Sequence, residues 1–169
     1  MSGTLPESVD VWRMVSARRS FQGSLPVAGL HRLCEALADP CGTVHFVLDF
    51  GRDALQVSYV DIRAETSLTM LCQRTLEPFV LPVTVSTRLG LLRQESDEAG
   101  LPPDCEPLLV PADGRLNPAD VVEDELLLAL PLVAINPDSS LPELMTPAEV
   151  AGDDDRTSPF AMLRKLRDK

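Results

Sequence analysis

His31 and Cys34 stand three apart, a helical spacing that puts an imidazole and a thiol on one side, as a nucleophile–base pair requires. No third group is placed to orient them, so the plainer reading is a helix core with one boundary histidine. Cys34, Cys41, Cys72 and Cys105 are scattered, and no CxxC pair or metal-ligand spacing with His31 or His45 occurs. With no export signal in the first residues, they read as free thiols rather than a disulfide framework. There is no P-loop, glycine-rich dinucleotide turn or HExxH, and no GxSxG. No cofactor and no metal are expected.

Two further groups deserve weighing. Glu123, Asp124 and Glu125 form the densest carboxylate run inside a helical pattern. Metal binding or acid–base work would need converging partners that the sequence does not show. That leaves charge at a helix start facing solvent, or a patch that contacts a protein or a ribosome. Arg74 falls at a hairpin tip, either as a solvated turn residue or as a contact for phosphate or carboxylate, which its planar fork suits.

Charge is sorted along the chain. The net charge is −11, yet residues 1–93 are neutral, with nine bases against nine acids. Residues 94–155 hold sixteen acids against Arg115 alone, and residues 156–169 hold five bases against Asp168. A protein that grips nucleic acid unaided normally carries a basic field. Here only two basic clusters exist, Arg13, Arg18 and Arg19 near the start and Arg164, Lys165, Arg167 and Lys169 at the end. The seven aromatics are too few for a base-stacking platform. Sequence-specific reading of RNA is therefore disfavoured. The acidic stretch serves solubility, or docks a basic partner.

The elements that must position these groups read as an α+β domain. Residues 10–18 form a short helix with Val11, Met14 and Val15 on one side, and residues 20–25 are extended with Phe21 inward. Residues 27–37 make an amphipathic helix through Leu30, Leu33, Cys34 and Leu37. In residues 43–50, Val44, Phe46, Leu48 and Phe50 alternate as in a half-buried strand, and Gly51, Arg52 and Asp53 suggest a hairpin turn. Residues 55–63 switch parity between Tyr59 and Val60, which predicts a bulge or a break. Residues 64–73 and 79–87 alternate again, and Pro82 predicts an edge or a bulge. The expectation is a twisted antiparallel meander, free to curl toward a barrel and packed with a few short helices. Residues 94–105 read as a mobile acidic loop, and residues 108–110 as a short strand.

Asn117 and Pro118 then mark a helix start, with Val122, Leu126, Ala129, Leu130 and Val133 as its stripe and Pro131 as its kink or end. The domain spans residues 1–135. Residues 136–157 read as a flexible acidic linker rich in proline and aspartate. Residues 158–169 read as a basic segment with a short helix whose edge is Phe160, Leu163 and Leu166. The ten-residue apolar run 126–135 is too short to span a bilayer.

Four stretches resemble one bacterial family. Leu71-Cys72-Gln73-Arg74-Thr75-Leu76-Glu77-Pro78-Phe79 resembles the C-x-R-C-l-x-P-F element of YceD proteins. Residues 122–133, beginning Val122-Glu123-Asp124-Glu125, are similar to the family's VEDE-(apolar)-LP signature. Ser158-Pro159-Phe160-Ala161-Met162-Leu163 is similar to its closing N-P-F-A-x-L segment, and the basic stretch from Arg13 to Gly23 fits its opening. The resemblance implies a non-enzymatic cytoplasmic factor linked with synthesis, processing or stability of 23S ribosomal RNA. Thr75 stands where many members carry a second cysteine, which speaks against a zinc or redox role for that pair. The implied partner is large-subunit ribosomal RNA or a precursor particle, reached through a basic ribosomal protein, with no membrane and no small-molecule substrate. Arg13, Arg18, Arg19, Arg74, Glu123, Asp124, Glu125, Phe160, Arg164 and Lys165 are the candidate contacts. The alternative is a general acidic chaperone for basic clients.

Overall fold

The alternation of Val44, Phe46, Leu48 and Phe50 places four side chains on one face of a strand, and all four are buried. Around that strand the computed structural model describes residues 5–139. They belong to one compact unit, Met1–Ser139. In chain order the elements are β1 (Val9–Asp10), α1 (Val11–Ser16), β2 (Ser20–Pro26), α2 (His31–Glu35), β3 (Thr43–Arg52), β4 (Ser58–Leu71), β5 (Pro78–Leu92), β6 (Glu106–Leu109), β7 (Arg115–Leu116) and α3 (Pro118–Ala129). Five strands form one sheet in the order β2-β3-β4-β5-β6, and β1 pairs separately with β7. The expected α+β meander is present as an open sheet and does not close into a barrel. It departs from a pure meander at β6, which runs parallel to β5.

Helices cover one face of the sheet. Val11 and Val15 of α1, Leu33 of α2 and Val121, Val122 and Leu126 of α3 share a core with Leu48, Ile62, Leu68 and Val85. Burying such side chains contributes about 1.5–3 kcal/mol each. The outer face carries charge across the strands: Arg63 meets Asp49 at 2.8 Å, and Arg88 holds Asp61 through two bonds of 2.6 and 2.8 Å. Asp49 and Asp61 lie directly opposite in the register. Like charges so placed repel, and the two arginines offset that.

Three sequence expectations change. The parity switch near Tyr59 is the strand's beginning: Leu55 lies in the hairpin turn, 74% exposed, and β4 then runs unbroken to Leu71 with even-numbered residues inward except Thr66. No bulge interrupts its pairing with β5. Pro82 sits at an edge, as predicted, since β6 covers β5 only at residues 89–92. The helix expected over 27–37 divides into a 3-10 turn, Val27–Gly29, and the short α2. The helix start at Asn117 is as predicted, its side-chain oxygen accepting the Ala119 N–H. Pro131 ends α3: Leu130 is already extended, as residues before proline tend to be, and Val133 is 54% exposed instead of continuing the stripe. Residues 95–100 form a 3-10 helix. Just beyond it, Leu101 packs so closely over Gly90 that a Cβ there would lie 2.4 Å from its side chain.

Candidate functional site

The carboxylates expected to face solvent mostly do not. Glu123 and Glu125 are buried, at 5% and 7% exposure, and only Asp124 points outward. α2 is a short helix with unsatisfied amides at its start, and α3 supplies their acceptor. Glu123 Oε1 accepts the Leu33 N–H at 3.0 Å, while Arg32 donates to Glu123 Oε2 at 3.0 Å and also reaches Asp124. Burial pushes the Glu123 carboxyl up, but the Leu33 N–H and the Arg32 guanidinium together outweigh it and hold the group below its usual range. For Glu125 burial prevails: the Thr87 hydroxyl opposes it only in part, Glu106 and Asp124 add to it, and the carboxyl is raised. The run is therefore chiefly structural: Glu123 joins α3 to α2, and Glu125 turns to Thr87 of β5. As a surface for a partner it reduces to Asp124.

Arg74 belongs to a second cluster at the β4–β5 hairpin tip. The Gln73 N–H donates to the Ala134 carbonyl at 2.8 Å, bringing the chain after α3 back onto the tip. Arg74 fastens it further, donating to the Asn136 carbonyl and to both oxygens of Ser139. Residues 136–139, expected to open a linker, are thus tied to the hairpin. Cys72 lies beneath, fully shielded from solvent, with the Asn136 N–H 3.4 Å from its sulfur. The thiol is lowered to about 6, first by the Thr75 hydroxyl and then by the Asn136 amide; burial opposes them, and the Thr75 and Arg74 amides add to the lowering. Thr75 Oγ1 is itself buried and has no other hydrogen-bond partner among the described residues.

The arginines near the start gather at a third place, the end of the fold around α1. One cleft of about 500 Å³ is lined by Trp12, Arg13, Ser16, Arg93, Asp10 and Asp113, among others. A second of about 370 Å³ adjoins it at Ser16 and is lined by Arg18, Arg52, Asp53 and Gln56. The Arg93 guanidinium stacks 4.0 Å over the Trp12 ring, a favourable cation–π arrangement. Arg19 is exposed beside them. None of these five arginines forms an ion pair among the described residues. Arg52, Arg93 and Trp12 were not singled out in the sequence. Trp12 neighbours Arg13 in α1, whereas Arg52 at the end of β3 and Arg93 just after β5 are brought to Arg13 and Arg18 only by the fold.

His31 and Cys34 are not a catalytic pair: the Cys34 thiol donates to the Val27 carbonyl at 3.3 Å, and His31 is exposed. Among the described residues no three histidine, cysteine or acidic side chains converge as a metal site, and no helix is long and apolar enough to cross a membrane. Phe160, Arg164 and Lys165, with the linker and the closing basic segment, lie outside the described residues.

These features define an α+β protein whose charge is divided between an interior seam, a hairpin knot and an arginine-lined end. Residues 60–167 match the family described as large ribosomal RNA subunit accumulation protein YceD, and the chain belongs to that family. It is similar to the Large ribosomal RNA subunit accumulation protein YceD of Haemophilus influenzae, 26% identical over 172 residues, which cover 98% of this chain and 97% of the relative. No solved structure matches it. The family description implies a role in accumulation of large-subunit ribosomal RNA.

Proposed function

We propose that the protein acts in the cytoplasm as a non-catalytic binding factor on precursors of the large ribosomal subunit, supporting synthesis, processing or stability of 23S ribosomal RNA. The observation that carries this reading is its likeness, across nearly the whole chain, to a relative named for large-subunit RNA accumulation. The surface adds a physical argument. With Glu123 and Glu125 turned inward, Glu95, Asp97, Glu98, Asp104, Glu106, Asp120 and Asp124 remain exposed along residues 95–124. A carboxylate surface of this density repels bare RNA and attracts a basic ribosomal protein, which steers association and selects partners.

The test is affinity capture from growing cells, split into nuclease-treated and untreated halves. Large-subunit ribosomal RNA should come down in the untreated half, and large-subunit proteins should remain after nuclease. Basic clients unrelated to the ribosome, with no large-subunit component enriched, would replace this reading with that of a general acidic chaperone.

A further inference from the structure

We infer that the paired clefts around the end of α1 form a contact site for the phosphodiester backbone of RNA. The inference rests on the large-subunit reading above and adds a second surface to it, one that touches RNA directly while the acidic surface meets protein.

The first argument is how the charges are used. Arg13, Arg93, Arg18 and Arg52 line the two clefts together with the carboxylates Asp10, Asp113 and Asp53. Each carboxylate keeps its charge but has one oxygen bonded to backbone and forms no ion pair with the arginines. Asp10 accepts the Arg13 N–H at 3.0 Å, Asp113 the Arg115 N–H at 3.0 Å and Asp53 the Val57 N–H at 2.8 Å. Arg93 is stacked on Trp12, and none of the four guanidiniums is held by a carboxylate. Elsewhere in the described fold Arg32, Arg63 and Arg88 are each held by carboxylates, while Arg74 and Arg115 are bonded to neutral oxygens.

The second argument is backbone strain. Among the described residues three non-glycine positions have positive φ, and two of them, Arg18 at 47° and Gln56 at 66°, line the second cleft. Arg18 closes α1: its N–H donates to Val15 and the Arg19 N–H donates to Met14. That is the helix-ending pattern whose left-handed residue is ordinarily glycine. An arginine there is disfavoured by its own Cβ, and strained residues gather where a ligand is held. The charge at a helix C-terminus favours Arg18 slightly, but gives no reason for Gln56.

The third argument selects the ligand. The clefts are polar and open, unlike the largely apolar pockets that enclose small molecules. The Trp12 face is covered by Arg93, so no base can stack on that side. What remains is a set of planar cations suited to successive phosphates, a contact that positions RNA without reading its sequence.

Binding of a labelled 20-nucleotide single-stranded RNA of mixed sequence to the full chain, followed by fluorescence anisotropy from 50 to 200 mM salt, tests this. Four phosphate contacts predict a log–log salt slope of about −3. Arg18→Gly should raise the thermal midpoint while weakening RNA binding and reducing the slope by about one. Arg52→Ala and Arg93→Ala should weaken binding in the same way, and Arg63→Ala, on the sheet's outer face, should not. Salt-independent binding, equal displacement of the RNA by polyglutamate, or an Arg18→Gly protein that binds as well as wild type would each overturn the inference. The capture experiment separates the two readings. If wild-type protein recovers large-subunit precursors and the arginine variants bind RNA normally, only the site assignment falls. If wild type recovers no precursor, the functional reading falls whatever the titration gives.

Discussion

The α2–α3 seam and the α1 end are both charged, and they use charge in opposite ways. In the seam Glu123 is buried and each of its oxygens has a partner from α2. At the α1 end the cations are exposed and the nearby carboxylates serve backbone amides instead. A satisfied buried charge fixes structure, because removing one partner strands the other. An exposed cation without a partner adds little to stability and is available to something else. Density of charge in the sequence therefore misleads, and what distinguishes the two regions is where the hydrogen bonds go.

The most direct way to break this comparison is at the seam. Glu123→Ala leaves the Leu33 amide without its acceptor and Arg32 without its buried partner, and should lower stability by about 2–4 kcal/mol. Thermal unfolding would read this as a drop of the order of 10 °C. A change within about 0.5 kcal/mol, as ordinary surface substitutions give, would show that the seam is not structural and would return the carboxylates to the list of contact residues.

The hairpin knot offers the next test, through pH. The folded-state Cys72 thiol lies at about 6 against an ordinary 9. A depressed group contributes stability that is complete above its unfolded value and lost as pH falls through the folded one. The thermal midpoint should therefore gain from Cys72 between about pH 6 and pH 9, and Cys72→Ser should flatten that rise. An unchanged profile would mean that the sulfur is not held as a thiolate by Thr75 and Asn136.

The two buried glutamates of α3 should also separate. Glu123 is depressed, so its contribution is lost in acid, as pH falls through its folded value. Glu125 is raised, so its contribution is present below the unfolded value of about 4.3 and is lost as pH rises through its folded value. Glu125→Gln should thus raise the midpoint near pH 7, with the gain shrinking toward pH 4. Loss of stability at pH 7 would mean that the Thr87 bond outweighs burial.

Much of the fold was legible because it follows local periods. The alternation in β3 survives because one face is covered by helices, and Asn117-Pro118 starts α3 by a bond that spans two residues. The parity switch near Tyr59 was visible but ambiguous, since a strand's beginning and a bulge leave the same mark. The candidate contacts were less legible for a different reason. Glu123 meets Leu33 across a separation of 90 residues, so a helical pattern with acids in it reads as a solvated face. Arg18 is recognisable as basic, yet its left-handed backbone leaves no trace in composition or spacing. Arg74 was legible from its place at a hairpin tip and Cys72 from the family element, but their bonds to Asn136 and Ser139 depend on how the chain returns after α3.

The smallest effect sharpens the comparison most, because it concerns strain alone. Gln56 sits in the left-handed region within the turn joining β3 to β4, where its N–H donates to the Asp53 carbonyl at 3.2 Å. Glycine relieves about 1–2 kcal/mol of steric strain there, and restores roughly 0.5–1 kcal/mol of chain entropy to the unfolded state. Gln56→Gly should therefore stabilise the fold by only about 0.5–1 kcal/mol, read by denaturant unfolding. If it destabilises instead, the Gln56 side chain contributes to the fold, and strain around the second cleft no longer points to a ligand. If it stabilises the fold and RNA affinity falls, the glutamine side chain is held in a strained place for what it touches outside the chain.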